Sequence, residues 1–443
     1  MRKELRDGLI LRTLSEGFAS DRENLEEFYK RVFGEEGDEE PQALGYWTND
    51  LISGAHPTTT LDDVWVVVDP AEDDKIVSAL LLIPQTWRYE DVEIPVGRVE
   101  LVATDKDYRR KGLVKALMDA LHERSAELGH LMQVITGIPH YYRRFGYGMA
   151  VNLGSSAFVP FDSLPVIKDD QQPDYLVRSA TIDDAEQIAE WDASYAEECL
   201  LTTVRSADDW RYEIEGRTYG AVFHLHIGII TTPDGDPVGY VAARTSPEYP
   251  VTSCLSYIVG EKASYLDTYD DVMRWYKTIR EETYSEGGDV KPPTHLGFDS
   301  GVPPEIIQII EYNPFASVRS RFYAWYIRVE DIAGFIQKIA PVLERRLAGS
   351  VANRFTGDLK IGFYDFTGVT ITFEDGKITG VTQGELAQAE VSFAYLTFLN
   401  ILFGHRTRQD LIPILPESFA GRKAGILLDV LFPLKRSWLL AFG

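Results

Sequence analysis

Two cysteines in 443 residues, Cys199 and Cys254, leave no material for a disulfide framework or a multi-cysteine metal site. Positive charge is also scarce. Lys and Arg number 44 against 69 Asp and Glu, a net charge of −25, which argues against the basic face that nucleic-acid binding requires and is compatible with attracting a cationic ligand. No run of about 18 apolar residues occurs, so no membrane-spanning helix is expected. The apolar run Leu9-Ile10-Leu11 is too short for a signal peptide, and the expected location is cytoplasmic, with no membrane partner. His224-x-His226 has chelate spacing but no third ligand in sequence, so no metal is expected. What remains is a chain rich in core material, 44% hydrophobic and 12% aromatic, and too long for one core, so two or three domains are expected.

The most informative stretch runs from Val99 to Val114. Val99, Leu101 and Ala103 alternate with Glu100, Val102 and Thr104 as a strand would, whereas Leu113, Ala116, Leu117, Ala120 and Leu121 repeat at the spacing of one helical face that Gly129 can end. The period changes inside a loop that carries Arg109, Arg110, Lys111 and Gly112. Such a loop sets cations and free backbone N–H groups at the positive end of a helix, a place suited to phosphate or pyrophosphate.

Other elements follow in order. Leu9 to Arg12 reads as a strand and Ser20 to Phe33 as a capped helix. Val64–Val68 and Ile76–Leu82 read as buried strands, and Leu131 to Thr136 as a further strand. Residues 155 to 175 look like a linker. Leu176 to Ala189 then restarts the strand–cap–helix opening, with strands expected at 224–231, 237–244 and 255–259 and a long helix at 268–283, as in a second copy of one fold. Its loop, Gly260 to Asp267, lacks the basic donors and carries Glu261 and Asp267. Beyond Phe322–Val329, a strand leading out, we expect a helix over 332–346, strands at 360–366 and 369–373, an Asp375-Gly376 hairpin turn and a helix over 393–403.

Arg109-x-x-Gly112-x-Val114 resembles the acyl-CoA loop of GCN5-related N-acetyltransferases, whose pattern is Gln/Arg-x-x-Gly-x-Gly/Ala. Val114 departs from that pattern at the last position. Tyr142-Arg143-Arg144-Phe145-Gly146-Tyr147-Gly148 resembles the segment in which those enzymes carry the tyrosine that protonates the departing thiolate. Taken with the second copy and the strand-rich end, the whole chain resembles the enhanced intracellular survival family of these acetyltransferases. The fold class implied is α/β and α+β: two tandem acetyltransferase (GNAT) folds, 1–158 and 159–328, the second degenerate and without CoA, followed by a sterol carrier protein-like α+β domain, 329–443.

The resemblance also implies a chemistry. Acetyl-CoA is the expected co-substrate and no metal is needed. Val102, Ala103 and Thr104 are expected to hold the pantetheine, and Arg109, Arg110, Lys111, Gly112, Leu113 and Val114 the pyrophosphate. Tyr142 would be the acid and the terminal carboxylate of Gly443 the base. The acceptor would be a small cationic amine of aminoglycoside, polyamine or lysine type, and the assembly a homo-oligomer, a hexamer or trimer. A different class of function is also open: a non-enzymatic lipid- or partner-binding protein that uses the C-terminal domain.

Overall fold

A long hairpin, Lys75–Tyr89 paired antiparallel with Val92–Thr104, runs through the centre of the computed structural model, which describes residues 2–34, 42–166, 172–284, 290–319, 323–415 and 417–440. Ile76 to Ile83 are all buried, which is why this strand reads as a continuous apolar run: both of its faces are covered. Around it lies a mixed sheet in the order Lys3–Glu4, Ile10–Thr13, Val64–Asp69, Lys75–Tyr89, Val92–Thr104, Met132–Ile135, Ala324–Arg328, Gly148–Asn152. Leu201–Thr203 adds to the Tyr89 end of the hairpin. Helix Leu113–Glu127 joins the parallel pair Val92–Thr104 and Met132–Ile135 and packs on Val67, Val77 and Leu82. Asp21–Phe33 and Gln42–Ile52 cover the other face through Val66, Ala79 and Leu81.

A second sheet has the order Ser317–Val318, Ser155–Pro160, His295–Asp299, Val251–Val259, Pro237–Ser246, His226–Thr231, Leu176–Ser179. Helix Tyr265–Tyr284 again lies between the two strands of a parallel pair, Val251–Val259 and His295–Asp299. The two sheets exchange strands. Ser155–Pro160 leaves the first sheet's last strand and pairs with His295–Asp299, while Ala324–Arg328 returns to pair with Met132–Ile135. Residues 155 to 160, expected as linker, are therefore a strand with Ser155, Ala157 and Val159 buried. The alternation was there, but the prolines at 160 and 165 drew the reading toward a loop. A cut at 158/159 falls inside this strand.

A third sheet has the order Lys377–Glu385, Thr367–Glu374, Gly357–Phe363, Val391–Phe393, Phe419–Ala420. Asp375 and Gly376 both have positive φ, 48° and 80°, as a two-residue hairpin turn of type I′ requires. The helix expected over 332–346 is two helices, Ile332–Lys338 and Ala340–Ala348. Pro341 lacks the N–H that a continuous helix would use and is tolerated only in a first turn. Helix Tyr395–Leu402 lies against the strand Gly148–Asn152: a Cβ on Gly148 would meet the Leu396 carbonyl at 3.0 Å. No helix among the described residues is long and apolar enough to cross a membrane.

The same contact carries a titratable group. His405 is buried, with Nδ1 3.0 Å from Asn400 Oδ1 and Nε2 2.9 Å from Asn152 Oδ1. Burial, with Arg406 nearby, depresses its pKa to about 4. The unfolded chain, with a value near 6.5, binds the proton first, so stability falls as pH drops through the interval from about 6.5 to 4, by about 3 kcal/mol for this group. His405→Gln should shrink the loss in urea-unfolding free energy between pH 7 and pH 4.5. An unchanged loss would show that His405 is not held neutral.

Candidate functional site

The parallel ladder between Val92–Thr104 and Met132–Ile135 covers only Val96 to Val99, yet the first strand continues to Thr104. Beyond Val99 the strands part. Leu101 takes φ of 53° and the register against Lys75–Tyr89 shifts between Ala79 and Leu81, a bulge that twists the edge outward. The gap is a cleft of about 1240 Å³, lined by Val102, Ala103, Thr104, Arg109, Arg110, Gly112, Leu113, Val114, Tyr142, Phe145 and Arg328. Backbone groups on this side of 100–104 have no ladder partner, so they can bond an extended ligand as an added strand would. Of the cofactor residues expected from sequence, only Lys111 lies off this wall. Its ammonium sits 4.7 Å from the Tyr108 ring centroid and 3.8 Å from Asp7.

One end of the cleft is built for an anion. Gly112 (φ 80°) precedes helix Leu113–Glu127, no side chain caps that helix, and Arg110 is also left-handed (φ 66°). A glycine is favoured here because the chain must turn abruptly so that the first helical N–H groups face the cleft. Among the described residues, Arg109, Arg110, Lys115, Arg144 and Arg328 line this cleft with a single carboxylate, Asp119, which Lys115 contacts at 2.6 Å. His122 adds no charge at neutral pH: burial lowers its pKa to about 4 and its Nε2 lies 2.8 Å from the Tyr147 hydroxyl.

Tyr142 stands on the short turn Tyr141–Phe145. Its ring is buried, edge-on to Tyr141 at 5.2 Å and to Tyr326 at 5.9 Å between centroids. Burial first, then the negative charge of Glu100, push its pKa well above the ordinary phenol value, so at neutral pH it can only donate a proton. Gly137, at φ 129°, lets the backbone pass the ring: a Cβ there would lie 3.2 Å from Tyr142 Cε2. Two tyrosines, one in the distant strand Ala324–Arg328 and one just before it, hold this loop. The backbone N–H of Gly137 donates to the Tyr323 hydroxyl and that of His140 to the Tyr326 hydroxyl, both at 2.6 Å. Sequence reading missed Tyr323, Tyr326 and Glu100. The strand residues Tyr323 to Arg328 were visible, but nothing local says which sheet they join.

Behind Gly137 lies an inner cavity of about 350 Å³, bordered by Thr136, Gly137, Tyr323, Trp325, Leu439 and Leu440 and by a group of arginines. The Leu440 carbonyl accepts hydrogen bonds from Thr203 Oγ1 at 3.1 Å and Arg205 Nε at 2.9 Å, so the C-terminal segment reaches this cavity. Phe442 and Gly443 lie outside the described residues. Burial raises the Cys199 and Cys254 thiols to about 11 and about 12, far from thiolate chemistry at neutral pH. Among the described residues no group of three His, Cys, Asp or Glu side chains could hold a metal. The corresponding cleft of the second sheet, about 530 Å³, is lined by Glu190, Glu198, Glu261 and Glu305 against Lys262, and a Cβ on Gly260 would meet Trp191 Nε1 at 2.7 Å. That lining would repel a pyrophosphate.

Residues 15–150 match the family model described as an acetyltransferase (GNAT) domain. No curated protein matches. Among solved structures, the chain is similar to a GCN5-related N-acetyltransferase from Anabaena variabilis (14% identity, TM-score 0.63, covering 98% of this chain and 100% of that one). It is similar also to Eis1 from Mycobacterium abscessus (13%, 0.58, 98% and 99%). A conserved Enterococcus faecalis protein of unknown function, described as a "probable N-acyltransferase", aligns over 100% of both chains (13%, 0.65). At these identities the structures speak for a shared fold. With the domain match, the protein is an N-acetyltransferase.

The basic end of the cleft can be tested directly. Arg109→Glu with Arg110→Glu should weaken CoA binding by about 100-fold or more in calorimetric titration if this end takes the pyrophosphate, since two charges are inverted there. Lys111→Glu alone should change it little. The reverse ranking would overturn the assignment of this wall.

Proposed function

We propose that this protein transfers the acetyl group of acetyl-CoA directly to the primary amine of a small acceptor, with the cofactor in the outer cleft and the amine in the inner cavity. The observation that carries this reading is the position of Tyr142, at the meeting of the two spaces: it lines the outer cleft while the backbone of Gly137, which it touches, lines the inner one. GNAT domains use acetyl-CoA as co-substrate, and the residues of the outer cleft fit it. Val102, Ala103 and Thr104 supply an unpaired strand edge for the pantetheine amides. Arg109, Arg110, Gly112, Leu113 and Val114 supply cations and helix N–H groups for the pyrophosphate.

The amine lone pair attacks the thioester carbonyl, a C–N bond forms and the C–S bond breaks. Tyr142 gives its proton to the departing sulfur, a task suited to a phenol that burial keeps protonated, and recovers one from the attacking nitrogen as the amide forms. Unpaired backbone N–H groups of residues 100–104 take the charge that develops on the carbonyl oxygen, a contribution of roughly 3–4 kcal/mol per donor in comparable sites. In the form whose chain ends at Gly443, its carboxylate is our choice of base for the ammonium proton, because Leu439 and Leu440 already border the inner cavity. The buried, protonated thiols favour this direct route over an acyl-cysteine intermediate.

The layout we propose is two GNAT-like units, 1–158 and 159–328, that exchange strands, the second without cofactor, and a sterol carrier protein-like unit, 329–443. The matching strand orders of the first two sheets support the former. In the third unit the helix Tyr395–Leu402 buries Phe398, Leu399, Ile401 and Leu402 in an ordinary core, which favours the enzyme over a lipid carrier.

Tyr142→Phe should lower kcat by about 10²–10⁴-fold while leaving the dissociation constant of acetyl-CoA nearly unchanged, as expected when only a proton donor is lost. Initial rates of thiol release at saturating acetyl-CoA measure this. Turnover near that of the unaltered enzyme would return Tyr142 to a packing role.

A further inference from the structure

The inner cavity has a charge opposite to that of the chain. Four guanidinium groups line it, those of Arg98, Arg205, Arg217 and Arg244, against the carboxylates of Glu213 and Asp299. Arg205 and Arg217 share one partner, Glu213, at 3.1 and 2.5 Å. Arg98 is paired with Glu100 at 2.8 Å, between the Phe223 and Trp325 rings. Arg98, Arg205 and Arg217 are only 2%, 7% and 7% exposed. The half-buried guanidinium of Arg244 has neither a hydrogen-bond nor an ion-pair partner among the described residues. Gly154, Arg244 and Asp299 also line an adjoining cavity of about 620 Å³ that carries Lys291 and His295, so the approach is basic too. In a chain with 25 excess negative charges, this concentration of cations is not the average composition of the surface.

From this lining we infer that the acceptor amine carries an anionic group, a carboxylate or phosphate, and that Arg244 binds that group and selects for it. The inference rests on the acyl-transfer reading above and narrows its acceptor. Among the described residues the partnerless guanidinium in this lining is that of Arg244, and such a group is stabilised by an anion and destabilised by a second cation. A polyamine or aminoglycoside, the acceptor type that the family resemblance implies, would bring several. The same positive field favours the neutral, nucleophilic form of an incoming amine over its ammonium form. Arg244 offers a planar fork of donors matched to two oxygens of a carboxylate or phosphate.

A set of acceptors matched in chain length tests this: propylamine, diaminopropane, β-alanine and aminopropylphosphonate, with thiol release from acetyl-CoA as the readout. We expect kcat/KM for one of the two anionic acceptors to exceed that for propylamine and for diaminopropane by about tenfold or more. Which of the two leads distinguishes carboxylate from phosphate. Arg244→Gln should erase most of that preference, chiefly through KM, while calorimetric CoA affinity stays the same. Arg244→Lys, which keeps the charge and loses the fork, should retain part of it. Equal or better use of diaminopropane overturns the inference, as does a preference that survives Arg244→Gln. Calorimetric binding of β-alanine or aminopropylphosphonate that appears only after deletion of Phe442 and Gly443 also overturns it, because the arginines would then be holding the chain's own carboxylate. If no amine releases thiol, the acyl-transfer reading fails by itself. Calorimetric titration of the protein with β-alanine and aminopropylphosphonate then decides the anion site separately: binding weakened by Arg244→Gln supports it, and no binding removes it.

Discussion

The parting of two parallel strands after Val99 and Ile135 is the constraint on which the rest of this architecture depends. Paired strands satisfy each other's backbone groups, so a strand that outruns its partner leaves donors and acceptors open. Here the bulge at Leu101 turns that exposed edge into one wall of a cleft. The other wall can stay apart only if Met132–Ile135 is held from its far side. That support is Ala324–Arg328, which pairs Tyr326 with Ile135, Ile327 with Val134 and Arg328 with Gln133. The first sheet's cleft therefore needs a strand that arrives only after the whole second sheet has been threaded, and the two units cannot be separated at residue 158 without removing a wall.

How much of this was readable in the sequence follows from how local each determinant is. The loop from Asp105 to Gly112, helix Leu113–Glu127 and the Asp375-Gly376 turn are decided by residues next to one another, and all were legible. Tyr142 was legible because its motif is contiguous. Ser155–Pro160 was not, since its partner His295–Asp299 is about 140 residues away and two prolines mimic a linker. Lys111 was assigned to the ligand because it is basic and sits in the loop, but the left-handed turn at Arg110 and Gly112 sends it toward Tyr108 and Asp7 instead. The ring of arginines could not be seen at all: Arg98, Arg205, Arg217 and Arg244 are scattered over almost 150 positions and meet only through the fold.

Net charge says little about a single site for a related reason. A sum over 443 residues says how the molecule repels its copies, whereas a site responds to charges within about a Debye length, roughly 8–10 Å in physiological salt. The acidic excess is real and appears where it was expected to exclude a cofactor, in the Glu190, Glu198, Glu261 and Glu305 lining of the second sheet's cleft. The two spaces that meet at Tyr142 are basic. An acidic cleft on the second sheet and a concentration of arginines beside Tyr142 are compatible in one chain only because each field is local.

The strand Ala324–Arg328 and the residue just before it join all these parts. Tyr323 and Tyr326 fix the backbone of Gly137 and His140, which sets where the Tyr142 ring stands. Trp325 lies over Arg98 and borders the inner cavity, and Arg328 faces the outer cleft. Directly after it, the Val329 carbonyl accepts a hydrogen bond from Tyr395 of the third unit, and Val329 and Ile332 enter the core built on the third sheet. Six residues, Tyr323 to Arg328, thus carry the rigidity of the third unit to both cavities. A catalytic phenol must be held to within a fraction of an ångström to be useful, and a loop of glycines, arginines and tyrosines cannot supply that order by itself. On the reading proposed above, the third unit's contribution is mechanical: it anchors the strand that anchors the loop that holds Tyr142.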